Sequence, residues 1–318
     1  VITDLADPFA VNPLKYGSSE ADPDPIEALL KLRNEVYALN RYTIEVFDNV
    51  GTTGFPFQRI AGAQIQKGAV GTHACCVFMD NIAFMGGGRN EAPSIFMGAN
   101  GSTQKIATRE IEQILATYTE TQLASAFLEE RIDKAHQFLI THLPNHTLVF
   151  DGAATQAMGQ PVWFTLSSTL TGDSQWKAQS VIWVYDKWQV YNPTNTQFGY
   201  LDDSISSHWG ADIGWEFGTQ ITYNESNGAI FHQLELVALT GHVAADTSPT
   251  IWAQHSTDGE TWSVEKPVRA GTLGQRAKRL VWLQQGYMNN WRIQRFRGTS
   301  DAHISISRLE ARLEPLAF

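Results

Sequence analysis

Side chains able to do chemistry are scattered along this sequence rather than gathered into a constellation. Nine histidines occur, and none stands in the His-Glu-x-x-His arrangement that presents two imidazoles to one metal ion. His142 and His146 are four apart, but Pro144 and Asn145 between them demand a turn, so both histidines read as structural or surface groups. Cys75 and Cys76 are adjacent, a spacing that disulfide geometry scarcely tolerates and that no zinc pattern uses, so they read as buried thiols. The run Gly86-Gly87-Gly88 lacks the Gly-Lys-Ser/Thr ending of a phosphate loop and reads as a bend or loop. No Gly-x-Ser-x-Gly elbow is present. Asp258 and Glu260 fall in a turn, where bonding of the short Asp side chain to local amides accounts for them better than general acid–base work. No catalytic, cofactor-binding or metal-ligating residue is expected.

The turn itself is the most specific local feature. Ser256-Thr257-Asp258-Gly259-Glu260-Thr261-Trp262 reads as a hairpin in which Asp258-Gly259 supplies positive backbone angles, Ser256 and Asp258 bond back to amides, and Trp262 anchors the returning strand. With Thr261 it is similar to the Asp box that marks blades of β-propellers, one residue short between Asp and Gly. Its expected role is structural.

Elements that could position such turns recur along the chain. Residues to about Pro25 carry Asp7-Pro8, Asn12-Pro13, Asp22-Pro23 and Asp24-Pro25, which favour an extended or turning arm. From Ile26 the residues are individually good helix formers, yet Arg33-Asn34-Glu35 between apolar runs, followed by Tyr42-Thr43-Ile44-Glu45-Val46-Phe47, favours strand–turn–strand. Similar units follow: Cys75 to Gly87 around an Asp80-Asn81 turn, Ser94 to Ile106 around Asn100-Gly101, His136 to Asp151 around Pro144-Asn145-His146, and Ser180 to Tyr191 around Asp186-Lys187. One short helix is expected after Thr108, with Glu110 and Glu112 in its first turn. Radial repetition of small antiparallel sheets manages their edges, and the pattern predicts an all-β propeller over 26–318 behind an irregular arm over 1–25. Residues 210–318 either close the ring or form a small β-sandwich.

Composition agrees with many short strands: ten tryptophans, 25 glycines and only 18 % charged residues in 318. A net charge of −10 argues against a chain that grips nucleic acid through its phosphates. The one basic cluster, Arg276, Lys278, Arg279, Arg292, Arg295 and Arg297, is expected to spread along one sheet face as a solvated or protein-facing surface. No run of about 18 apolar residues spans a membrane. The reduced thiols fit a cytoplasmic setting, and Val1 where a start would carry Met reads as a fragment or processed product.

Two families come to the residues from different sides. Phe57-Gln58-Arg59-Ile60-Ala61 is similar to the early arginine motif of sialidase-like glycoside hydrolases. There Arg-Ile-Pro is usual, several Asp boxes are expected, and a Tyr–Glu pair is needed that this sequence does not place, so Arg59 reads as structural. The string from Asp24 to Ala61, with Ile26-Glu27-Ala28-Leu29-Leu30, Tyr42 to Gly51 and Phe55-Pro56-Phe57-Gln58-Arg59-Ile60, resembles the packaged-DNA stabilisation or tail-hub family of short-tailed double-stranded DNA phages. The resemblance runs on through Ile95-Phe96-Met97-Gly98, Thr108 to Tyr118, Ser256 to Trp262, Gly274, Trp282 and Phe296. It implies a non-enzymatic virion structural protein that needs no cofactor. It implies a ring of six copies that closes the portal vertex, holds packaged DNA, and links the portal adaptor to tailspikes and a tail needle. It further implies a place in the virion tail after assembly in the bacterial host cytoplasm, without sequence-specific nucleic-acid binding. The alternative is a propeller glycan-binding protein or sialidase-like hydrolase.

Overall fold

The computed structural model describes all residues except 5, 6, 53, 226, 246, 300, 301, 317 and 318. The chain divides into two compact units, residues 1–166 with 174–198, and residues 167–173 with 199–318.

The first unit opens with a small hairpin, β1 (Thr3–Asp4) and β2 (Asp7–Val11), so the arm is less irregular than expected. Its second half is tied down by side chains. Glu45 accepts from the Ala21 amide at 2.8 Å, Asp24 accepts from the Tyr42 amide at 2.7 Å, and Asn40 donates to Ser19 Oγ at 2.9 Å. Then come antiparallel sheets built from neighbouring strands. The first is β3 (Ile26–Leu32), β4 (Glu35–Asn40), β5 (Ile44–Asn49) and β6 (Phe57–Arg59), in chain order. The segment that propensity alone would make helical is thus two paired strands, because its apolar side chains are claimed by tertiary packing.

The second sheet contains β7 (Gly68–Ala69), β8 (Cys75–Phe78), β9 (Asn81–Gly87), β10 (Ser94–Ala99) and β11 (Ser102–Lys105), with β7 and β8 both pairing β9. Gly86 and Gly87 are therefore strand residues and not a loop. A Cβ on Gly86 would sit 1.8 Å from the Gly68 carbonyl oxygen, so the pairing with β7 demands glycine there. The third sheet is β12 (Phe127–Asp133), β13 (His136–His142), β14 (Thr147–Asp151) and β15 (Trp163–Thr165). The fourth is β16 (Gln179–Val184), β17 (Lys187–Asn192) and β18 (Gln197–Tyr200).

Hairpin turns follow the chemistry of left-handed backbone. Asn100 and Gly101 have φ of 52° and 81°, as the Asn-Gly pair predicts. Two other turns sit one residue before their expected positions, at Met79-Asp80 (φ 48° and 56°) and Tyr185-Asp186 (φ 53° and 60°). Asn81 instead ends its strand pair opposite Phe78, and its side-chain amide donates to the Met79 carbonyl at 2.8 Å, closing the turn from outside.

Among the described residues three short helices occur where one was expected. The foreseen one is α1 (Arg109–Leu115), although the extended Thr108 makes no side-chain cap bond. The next, α2 (Glu120–Ala124), is started by a capping box between Thr119 and Gln122. The third, α3 (Gly152–Met158), is capped by Asp151 accepting from the Ala154 amide at 2.9 Å and stopped by Gly159 at φ 69°.

The second sheet lies between two hydrophobic clusters. One, with Tyr37, Leu39, Ile44, Val46, Ile82 and Phe84, joins it to the first sheet; the other, with Phe78, Met85, Leu139, Leu148 and Phe150, joins it to the third. Strand periodicity decides which residue goes where: Cys75 and Val77 face the former, Cys76 and Phe78 the latter. Both thiols are free, and burial pushes Cys75 up to about 11 and Cys76 further still. Each fully buried aromatic or aliphatic side chain here contributes ~1.5–3 kcal/mol.

In the second unit β19 (Ser207–His208) and β20 (Ala211–Asp212) form a hairpin, and the remaining strands form two sheets. One takes β21 (Gly214–Gly218), β22 (Thr222–Tyr223), β24 (Thr250–Ser256), β25 (Lys266–Arg269) and β28 (Trp291–Thr299). The other takes β23 (Ala229–Val243), β26 (Leu280–Leu283), β27 (Tyr287–Met288) and β29 (Ala302–Pro315). Phe231, Leu234 and Trp282 of the latter sheet and Ile251, Ala253 and Phe296 of the former share one core, a two-layer sandwich arrangement.

Candidate functional site

The turn singled out in the sequence leaves the end of β24. Ser256 Oγ donates to Asp258 Oδ1 at 2.9 Å and accepts from the Gly259 amide at 2.8 Å. Asp258 Oδ1 also accepts from the amides of Glu260 (2.9 Å) and Thr261 (2.8 Å), while the Thr261 hydroxyl donates to Oδ2. These bonds, the Thr261 hydroxyl foremost, hold the Asp258 carboxyl well below the usual carboxylate range. A carboxylate so saturated with donors cannot serve as a general acid near neutrality.

The geometry departs from a tight hairpin in two ways. Of the Asp-Gly pair only Gly259 has a positive φ, at 80°. The returning strand resumes at Lys266, paired with Ala253, so a loop separates β24 from β25. Ser263 bridges it, its amide donating to the His255 carbonyl at 2.9 Å. Trp262 anchors a side chain and not the returning strand: the Arg295 guanidinium on β28 stands 3.9 Å from its ring centroid.

That contact belongs to a layered surface. Arg295 donates to Gln254 Oε1 and lies 3.4 Å from Glu216 Oε1. Two residues on, Arg297 forks onto Glu265, with Nη2 2.6 Å from Oε2, and stands 5.1 Å from the Trp252 ring centroid. Pairing with Glu265 holds that acid below its ordinary range and raises the arginine.

The expected single basic face does not form. Arg292 and Arg295 are an odd number of residues apart on β28, so they point to opposite sides. Arg292 is 1 % exposed, donates to the Gln285 carbonyl at 2.6 Å and Gln294 Oε1 at 2.8 Å, and lies 4.4 Å from the Phe231 ring centroid. Its Nε reaches no partner among the described residues, and burial brings it down to about 10. Arg279 is paired with Glu235. Arg59 has half its side chain exposed and lies 3.6 Å from the buried Glu45 Oε2.

One arrangement escaped the sequence reading. Glu129 on β12 and His142 on β13 are diagonal neighbours on one face of their hairpin, since Phe127 pairs His142 and Glu129 pairs Ile140. His142 Nε2 is 2.7 Å from Glu129 Oε1, and Glu129 Oε2 accepts from the Val181 amide at 2.7 Å. The imidazole stacks on Trp176, ring centroids 6.2 Å apart and planes 8° from parallel. It borders a cavity of about 360 Å³. His146, by contrast, is paired with the Tyr118 hydroxyl. Counting along the hairpin could have found the Glu129–His142 pair, but only with the strand register known.

Among the described residues no group of three or more His, Cys, Asp or Glu is arranged to hold a metal ion, and no helix is long and apolar enough to cross a membrane.

Comparison with known proteins places the two halves separately. Residues 1–206 match a family described as bacteriophage P22 Gp10, beta-propeller, and residues 214–314 match bacteriophage P22 Gp10, beta-sandwich. The tail hub protein gp10 of Salmonella phage P22 is 27 % identical over 327 aligned residues, covering 98 % of this chain and 66 % of that protein. The chain thus spans less than two thirds of its relative's length. Crystal structures of an exo-beta-1,3-galactanase from Phanerochaete chrysosporium align over 89 % of this chain and 80 % of theirs, with a TM-score of 0.28 and 9–10 % identity. At that level neither fold nor activity follows from the galactanase.

Proposed function

We propose, from the premise that this chain belongs to the bacteriophage P22 Gp10 family, that it is a virion structural protein acting as a tail hub. In this reading it closes the portal vertex of a filled head, stabilises the packaged DNA, and links the portal adaptor to tailspikes and a tail needle. It acts as a homo-oligomeric ring of six, takes its place in the virion tail after assembly in the bacterial host cytoplasm, and recognises no DNA sequence. By the same inference residues 1–25 are a connecting arm, the strands from 26 onward are propeller blades, and residues 210–318 are an appended sandwich. The turn of Ser256, Asp258, Gly259, Thr261 and Trp262 is structural, and the protein is not an enzyme.

The observation that carries this reading is the order of the two family matches, propeller over 1–206 and then sandwich over 214–314. It is supported by the saturation of Asp258 and the internal pairing of Arg295 and Arg297, which turn the most motif-like surface of the second unit into scaffold. An acidic chain also suits a conduit that must not hold the DNA passing it.

The test is to mix the protein with purified, DNA-filled heads that carry the portal but lack tails, and image them by electron microscopy. A ring on the portal vertex supports the hub. A protein that remains in solution and binds or cleaves glycans overturns it.

A further inference from the structure

We propose that the cavity beside His142 is a docking site for an uncharged, extended segment of another virion protein, one of whose N–H or O–H groups donates to His142 Nδ1. The class of partner rests on the hub reading above; the site rests on its own geometry.

The imidazole is poised as an acceptor. Both carboxylate oxygens of Glu129 are engaged, Oε2 by the Val181 amide and Oε1 by His142 Nε2. With Nε2–H donating to the carboxylate, the neutral ring carries its lone pair on Nδ1. Nδ1 is buried, and no protein group among the described residues reaches it, although the side chain is only 1 % exposed. Phe127 and Trp176 fix the ring plane, with centroids 5.9 and 6.2 Å away. A buried acceptor left without a donor carries a desolvation cost that a bound donor relieves.

The cavity states the rest of the chemistry. Its lining of Ser125, Phe127, His142, Leu143, Pro144, Gln175, Gln179, Pro193 and Thr194 holds no carboxylate, lysine or arginine, in a chain of net charge −10. An uncharged ligand meets no penalty there, whereas a charged one finds no counter-ion. The side-chain amides of Gln175 and Gln179 are held by no protein group among the described residues. Each offers a donor and an acceptor, the complement of a peptide unit. Nδ1 is shielded from solvent, so a donor reaches it once side chains of the lining move aside. Leu143, Pro144 and Pro193 supply an apolar wall for a neighbouring side chain. A saccharide fits less well. The lining offers a sugar no indole or phenol face: Trp176 is 3 % exposed and stacked on the imidazole, and half-buried Phe127 is the one carbocyclic ring in the lining.

The probe is an array of overlapping 15-residue peptides spanning the other tail proteins, read against the whole chain, with methyl glycosides of glucose, galactose and mannose as the competing class. The wild-type protein is expected to bind one uncharged segment, and two cavity-filling variants, Thr194→Trp at the exposed rim and Gln179→Trp in the wall, are expected to weaken it at least about tenfold. Circular dichroism identifies a variant that has failed to fold, and the rim substitution keeps the test open in that case. Absence of any peptide binding, equal binding by both variants, or binding of the glycosides in place of peptides overturns the proposal. Capping of tail-less heads is measured in parallel: a hub that caps heads with an indifferent cavity loses only this inference, and a protein that caps none loses the hub reading first.

Discussion

Arg292 and Arg295 lie three positions apart on one strand, yet the first is enclosed against Phe231 without a carboxylate and the second is stacked on Trp262 at the surface. One side of β28 therefore carries a desolvated charge held by two carbonyl oxygens, and the other a neutralised, aromatic-covered cation. The stability consequences differ accordingly.

Replacing Arg292 with Ala removes the group that satisfies the Gln285 carbonyl and Gln294 Oε1 and empties its volume. A loss of about 3 kcal/mol is expected. Arg292→Met keeps most of the contact with Phe231 and removes the buried charge, so it is expected within about 1 kcal/mol of the parent. Urea unfolding of the two variants decides the matter; equal losses would show that the hydrogen bonds to Gln285 and Gln294, which neither variant can make, hold the site rather than packing.

His255, close to Arg292 and Lys266, is pushed down to about 4, first by burial and then by those two like charges. Its folded value lies below the unfolded 6.5, so the unfolded chain takes up the proton first. Stability is unaffected above pH 6.5, falls as pH drops through the window from 6.5 to 4, and is lost no further below it on this account. Because the ring is partly solvated the effect is on the order of 1–2 kcal/mol. His255→Asn should flatten the melting temperature across that window relative to the parent; an unchanged slope would assign the acid sensitivity elsewhere.

In the loop after β24, Gly259→Ala places a Cβ at φ 80° and is expected to cost about 1 kcal/mol. Asp258→Asn removes carboxylate acceptance from the Thr261 hydroxyl and should lower the unfolding midpoint, while Glu260→Gln, whose amide and not its side chain is used, should leave it unchanged. Midpoints from denaturant titration compare the three.

A double-mutant cycle on Trp262→Leu and Arg295→Gln should return a coupling of about 0.5–1 kcal/mol, typical of a partly exposed cation over an indole. Coupling near zero would mean that Gln254 and Glu216 position Arg295 without help from the ring.

Both thiols are expected to resist a disulfide reagent at pH 8 in the folded protein, because burial raises them above the range in which thiolate forms. Rapid reaction at both positions without denaturant would contradict the burial of β8.

Much of this was legible from local chemistry. The pattern from Ile26 to Asp48 gave strands against a helical propensity because an extended, β-branched run followed, and Asn100-Gly101 announced its turn outright. Met79-Asp80 and Tyr185-Asp186 were displaced by one residue because neither Met nor Tyr signals left-handed backbone. The capping box of α2 was present as Thr119 and Gln122 but spans too few residues to carry a hydrophobic period. Arg292 and the Glu129–His142 pair depend on which face of a strand a residue takes and what lies across the sheet, information that no short stretch of sequence contains.

The placement of Cys75 and Cys76 in two different cores has a consequence for folding. Most strands are locked in alignment because a slip of one residue would drive polar groups inward. On β8 a slip would exchange Cys75 with Cys76 and Val77 with Phe78, leaving apolar side chains on either side. Hydrophobicity cannot choose the alignment of this strand, and the two-residue turn at Met79-Asp80 has to. A substitution there that abolishes left-handed backbone would leave β8 free to mispair, with little change in the oiliness of either core.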